Sequence, residues 1–540
     1  VLASDRPADT AKTESTSRFV WLSVAGVIAM TLLQVVVLSL TSLPLGVPGE
    51  WTWPRIDEAS PQIIELIVAS VLLAALGGLT FWGLRFFREE RKDDRVIRAG
   101  CLAGMVVLAF LMIGAVRSIP IGIHGTAGTT WVTYYPRMSG YYTEAMKEDR
   151  STGEFLAGYE QVVREGDFLH QGTHPPGLIL YFRGLKGLCR TFPALTSRIL
   201  AMESPALSEG LNVLDQLSNA GPFAFGRIDR AVLVLNLWVT EFLAALTVVP
   251  IALLVSRFWG LGAGWLSAGF WPLVPALALF LPKSDLLLPV FGTTTVLLWI
   301  LAVQKRSFVS AFLAGVVLWL GLMISLALLV VPVILSAYMM ASLPARGCKV
   351  FGPERASIRR LAGGMSPALI VTAGAGVILP CMILWGLTDA NLFTIWWLNL
   401  QNHAAFYDHN PRTWWKWLGV NPFELAFGLG PAVSILAFGS LVLAVRSRLR
   451  SEGEAFIVGV VAVWALLWLS GKNMGEAARL WIFLMPLFVA CGGLLFARLQ
   501  ACTGNRGLVR SWGIYLLCQF AVVVVTVSGI DGFDFSTFLK

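Results

Sequence analysis

Long apolar runs alternate with short, charge-dense stretches along almost the whole chain. A run of about 20 apolar residues, coiled at 1.5 Å per residue, is long enough to cross roughly 30 Å of hydrocarbon as a helix. Runs of this kind lie near 19–44, 61–84, 99–116, 231–255, 261–281, 286–303, 307–323, 324–342, 365–387, 422–445, 455–471, 480–497 and 511–530. The pattern predicts about thirteen transmembrane helices, with 307–342 divided because it is too long for one. Many of the intervening stretches are basic: "RFFREERKDDRVIR" at 85–98, "QKR" at 304–306, the 346–360 loop, "RSRLR" at 446–450, and 498–510. Short basic loops stay on the cytoplasmic side. A cytoplasmic N-terminus followed by thirteen spans places every one of them there and the C-terminus outside.

Composition agrees with the pattern. Hydrophobic residues make up 56% of the chain and charged ones 14%, with a mean hydropathy of +0.71. A soluble domain is about a quarter charged. The fold class expected is therefore an all-α polytopic membrane protein. The net charge of +8 needs no nucleic-acid partner once the basic loops are counted. The first apolar run exceeds a signal-peptide core, so it reads as an uncleaved anchor.

With this topology two large loops face outward, 117–230 and 388–421. All five histidines fall in them: His124, His170, His174, His403 and His409. So do the tryptophan clusters "IWW" at 395–397 and "TWWKW" at 413–417. Of seven cysteines only Cys189 lies there, so no disulfide within one chain can staple these loops. They must be ordered by packing on the helices.

The densest polar point in the outer loops is "DFLHQGTHPPGLILYF" at 167–182. Proline is tolerated in the first turn of a helix, where no amide donor is needed, so a helix should begin at the double proline with Thr173 or His174 as its cap. The following residues put Leu178, Tyr181, Phe182, Leu185 and Cys189 on one face and Arg183, Lys186 and Arg190 on another. About 16 residues reach only ~24 Å, so this helix should lie in the membrane interface instead of spanning.

The His174-Pro175-Pro176 turn, its surface helix and the following train of apolar helices resemble the GT-C superfamily of integral-membrane glycosyltransferases. The branch in question contains the protein-O-mannosyltransferases, aminoarabinose transferases and RgtA-like enzymes. "RLWIFLMPLF", beginning at Arg479, is similar to that family's late helix start. The resemblance covers roughly 99–500. It implies an N-terminal addition at 1–98, a catalytic core at 99–500, and a last helix with a short outer tail at 501–540.

The resemblance further implies transfer of a sugar from a polyprenyl-phosphate donor to a lipid, glycan or protein acceptor at the extracytoplasmic face of a bacterial-type inner membrane. A carboxylate would serve as base and cations would hold the departing phosphate. The family's acidic pair is absent where it would stand, at Ser139-Gly140. The candidate bases are then Glu144, Asp149 and Asp167, with Asp57-Glu58 ranked lower. His170, His174, Arg479, Lys283, Asp285 and His403 are the candidate donor-binding residues. Lys283 and Asp285 could instead simply pair together. Tyr407 and His409 could form a far wall with His403, and Glu241, inside an apolar run, could be functional or a structural hydrogen-bonding group.

The outer histidines and acids could bind a divalent cation, but no ligand spacing is diagnostic of a metal. A polysaccharide polymerase or ligase would share the large outer loop. A transporter would show related halves and polar residues at mid-depth, and no internal repeat is visible.

Overall fold

Each apolar run in the sequence becomes helix because a backbone in hydrocarbon must satisfy its own hydrogen bonds. The computed structural model describes residues 7–56, 61–87, 94–147, 150–165, 170–218, 225–345 and 366–535. Among them, nine helices are long and apolar enough to cross a membrane, or ten with one bent pair. The protein is thus an all-α polytopic membrane protein. The count falls below thirteen for two reasons. Phe308–Ile324 and Leu326–Ser342 are shorter apolar helices, and the last two predicted spans share one stretch, Ile482–Gly529.

Two departures from the predicted boundaries have local causes. The basic stretch 498–510, expected as a loop, is helical and is interrupted only at Gly504 (φ 64°, ψ −174°). That conformation is open to glycine and strained for other residues, so the chain turns there without leaving the helix for long. The run 422–445, expected as one span, belongs to two helices, Trp414–Leu429 and Pro431–Arg446, bent by 115°. Gly430 sits at φ 81° and Pro431 opens the second helix. Such a break strands backbone groups inside the protein. The fully buried Gln519 takes them up, accepting from Ala432 N at 3.1 Å and donating to Leu429 O at 2.7 Å and Leu273 O at 2.9 Å. A side chain at Gly430 would collide with that amide.

The first helix, Pro7–Leu40, packs along the last, Gly493–Gly529, and Ser23 Oγ meets Tyr515 Oη at 2.7 Å. A two-residue hairpin follows, Gly46–Val47 against Trp51–Thr52. It rests on the start of the Trp414–Leu429 helix.

The described part of 117–230 is largely helical. Besides the helix after the double proline it contains Thr126–Tyr134, Tyr141–Met146, Thr152–Ala157, Tyr159–Glu165, Pro193–Ala201 and Pro205–Ser218. The helix after the double proline runs Gly177–Thr191 and buries Leu178, Ile179, Phe182, Leu185 and Cys189. Lys186, expected on its cationic face, is buried with them. Its long apolar stem explains how it can sit on that side. Arg183 lies over the Phe155 ring at 4.3 Å.

Candidate functional site

The His-Pro-Pro turn is built from carbonyls that point inward. The His170 carbonyl receives Thr173 N at 3.3 Å and Thr173 Oγ1 at 3.2 Å, and lies 3.1 Å from His174 Nδ1. The helix cap is Pro176, not Thr173 or His174, and no side chain caps it. Thr173 Oγ1 is instead turned toward His174 Nδ1, at 2.9 Å. The segment 388–421 locks the turn. Asn399, on the Leu392–Ala404 helix, donates to Gly172 O at 2.9 Å and His174 O at 3.2 Å. Asn402 donates to Gly172 O at 2.8 Å, and Tyr159 Oη to His174 O at 3.0 Å.

Tyr141 joins this turn to a charged cluster. Its ring meets His170 at 5.8 Å and His174 at 5.4 Å, both edge-on. His174 is pushed down to about 3 by burial, with His170, His403 and Lys283 adding to the effect. It is therefore a neutral imidazole at physiological pH, a hydrogen-bonding group and not a cation. His403 is also held low, by burial and then Lys472.

Behind Tyr141 lie two cations from distant parts of the chain. Lys283 precedes the Ser284–Leu287 turn and Arg479 sits in the Ala477–Leu480 turn. Burial, helped by Arg479 and opposed by Asp285 and Glu476, holds Lys283 down at about 8. Burial works against the charge on Arg479, but Glu476, Asp285 and Tyr141 more than offset it and raise its pKa. Lys283, Asp285, Glu476, Arg479 and Tyr141 thus share one electrostatic neighbourhood. Lys283 Nζ donates to the Met138 carbonyl and does not pair with Asp285. Arg479 Nη2 meets Glu476 Oε2 at 2.7 Å, while its buried Nε has no partner among the described residues.

Of the candidate bases, Glu144 is buried, paired with Lys147 at 2.6 Å and reached by Gln171 Nε2 at 3.3 Å. It lies one turn along the Tyr141–Met146 helix from Tyr141. Asp149, Asp167 and the lower-ranked Asp57 and Glu58 fall outside the described residues. Tyr407 Oη donates to Lys472 O at 3.2 Å and accepts from Met474 N at 2.6 Å, which places it on the loop that carries Glu476. His409 is exposed, and its Nδ1 lies 3.2 Å from the Ala405 carbonyl. Glu241 lies against Gly114 of the neighbouring Arg95–Arg117 helix, inside the helical bundle. Among the described residues no group of three His, Cys, Asp or Glu side chains is arranged to hold a metal ion.

Sequence reasoning missed the residues that hold Arg479 in place. Glu476 adopts a left-handed conformation (φ 55°) just after Gly475 (φ 83°). Arg412 approaches its other oxygen, with Nη2 at 3.7 Å from Oε1, and stacks over Trp417 at 5.5 Å. Glu50, from the N-terminal hairpin, accepts from Thr413 N at 2.8 Å, Thr413 Oγ1 at 2.6 Å and Trp417 Nε1 at 2.8 Å, and pairs with Lys416 at 3.0 Å. The available signal was a lone glutamate three residues before a candidate arginine, in a polar stretch rich in glycine.

No protein-family model matches the chain, and no curated protein does. Solved structures of similar arrangement include an oligosaccharyltransferase from Archaeoglobus fulgidus in complex with zinc and sulfate. The match has 12% identity and a TM-score of 0.45, over 80% of this chain and 54% of that one. Another is the archaeal oligosaccharyltransferase AglB of the same organism, with an inhibitory peptide and a dolichol-phosphate, at 11% identity and a TM-score of 0.43, over 80% and 56%. This chain spans about half the length of those proteins.

Proposed function

We propose that this integral membrane protein is a glycosyltransferase of the GT-C kind, moving a sugar from a polyprenyl-phosphate donor to an acceptor at the extracytoplasmic surface. The observation that carries the reading is the convergence of the buried Lys283 and the partly buried Arg479, two cations from separate segments, beside a rigid turn that carries the neutral His174. Breaking the bond between the anomeric carbon and the phosphate leaves negative charge on the departing oxygen. Preorganised cations in a site shielded from water stabilise that charge most strongly. The Arg479 guanidinium suits phosphate oxygens because its donors form a planar fork. Its unpartnered Nε is a donor left over for such a ligand.

His174 and His170 would line the sugar side, as groups able to hydrogen-bond hydroxyls. His403 approaches His174 from the second outer loop. Asp285 and Glu476 keep the two cations from repelling each other apart. The acceptor hydroxyl must lose its proton to a carboxylate, for which Glu144, Asp149 and Asp167 are the candidates. Glu144 would first have to give up its pairing with Lys147.

The test is transfer from a radiolabelled polyprenyl-phosphate sugar by the purified protein in vesicles. Arg479→Ala should lose roughly 30- to 1000-fold in rate, since a charged contact to a buried phosphate contributes about 2–4 kcal/mol to the transition state. Full transfer by a correctly inserted Arg479→Ala protein would overturn the assignment.

A further inference from the structure

A second space opens beside the Arg479 turn. A cavity of about 210 Å³ is lined by Leu45, Trp53, Leu279, Phe427, Ala478 and Ile530, among others, and is almost entirely apolar. Two polar side chains break the apolar lining. Glu424, 5% exposed, gives Oε2 to Ala477 N at 2.6 Å, but its buried Oε1 has no partner among the described residues. Thr526, 2% exposed, also has an unpartnered Oγ1. Thr31, Thr80 and Thr247 each donate to the carbonyl four residues back, as a threonine in a helix readily does. Thr526 does not, although it too lies in a helix. Two orphan polar atoms on separate helices therefore border the same small apolar space.

A few convergent polar groups in an apolar cavity mark a site for an apolar molecule with a hydrogen-bonding head. A hydroxyl head both donates and accepts, so it can bond to Glu424 Oε1 and Thr526 Oγ1 together. The cavity lining carries no lysine or arginine, which separates this space from the one at Lys283 and Arg479. The lining residue Phe423 is 69% exposed on the outside of the bundle, so an occupant could enter from the lipid.

We propose that this cavity binds a lipid-borne alcohol whose hydroxyl lies between Glu424 Oε1 and Thr526 Oγ1. The hydroxyl is then held against the same short turn, Ala477–Leu480, that carries Arg479.

The test uses the full chain in lipid nanodiscs and two photoreactive probes, a diazirine-bearing long-chain alcohol and the matching alkane without the hydroxyl. The alcohol should label cavity residues about tenfold more than the alkane, the effect of one or two hydrogen bonds in an apolar site. Thr526→Val, nearly isosteric, and Glu424→Leu should each reduce alcohol labelling toward the alkane level. Leu45→Trp should suppress both probes. Equal labelling by the two probes, labelling outside the cavity, or none at all would overturn the proposal, the last meaning that water fills the space. Displacement of the alcohol by a polyprenyl phosphate with no effect of Glu424→Leu would overturn it too, since the occupant would then be the donor's tail. Labelling needs no sugar transfer. If the wild-type protein labels as expected but transfers no sugar, the cavity stands and the glycosyltransferase reading falls.

Discussion

The two sides of the candidate site are built by different means. The His-Pro-Pro side is tied by neutral groups: Asn399, Asn402 and Tyr159 bond to carbonyls of the turn. The Arg479 side is tied by charge, with Glu476 between Arg479 and Arg412. Neutral hydrogen bonds fix a backbone path whatever the pH, whereas ion pairs respond to protonation and to the charge of a ligand. One side is a fixed rim. The other, in the proposed function, would exchange a protein carboxylate for a phosphate.

The largest effect should come from the charged side. Glu476→Gln removes the counter-charge that orients Arg479, and transfer should fall about 10- to 100-fold. The loss should appear mainly in kcat, with thermal stability little changed; a large drop in melting temperature with normal kcat would make Glu476 merely structural. Next comes pH. Lys283, held at about 8, loses its charge as pH rises through that value. Donor affinity should therefore be complete below pH 8 and decline up to about tenfold per unit above it. Lys283→Arg should flatten that limb, and an unchanged limb would remove Lys283 from phosphate binding.

The neutral side should behave in the opposite way. Asn399→Ala takes away two hydrogen bonds to the turn and should cost about 1–3 kcal/mol of stability. Its pH profile should be that of the wild type, measured by denaturation and by the same transfer assay. A shifted profile would mean that the two sides are not independent.

How far all this was legible in the sequence follows the same division. The helices were legible because apolar length is a direct physical demand of the bilayer. His174, Lys283 and Arg479 stood out because proline turns and cations are scarce in apolar surroundings. Their convergence was not readable, since nothing local says that residues 141, 283 and 479 meet. Glu476 was missed although it is only three residues from Arg479, because its role depends on a left-handed backbone that pattern reading cannot assign. The bend at Gly430 was hidden for a related reason. Gly-Pro signalled a break, but the partner that makes a sharp break tolerable is Gln519, which lies 89 residues further along. Short outer-loop helices escaped as well, since packing and not periodicity stabilises them.

Glu50 adds a matter of timing. Its partner Thr413 lies 363 residues downstream. At the ordinary pace of translation, about 5–20 residues per second, the hairpin waits on the order of 20–70 s after it is made before that helix start exists to be capped. Until then its carboxylate faces other company, and the hairpin region also bonds to residues 529–531, made later still. The support of the charged side thus joins segments made far apart in time.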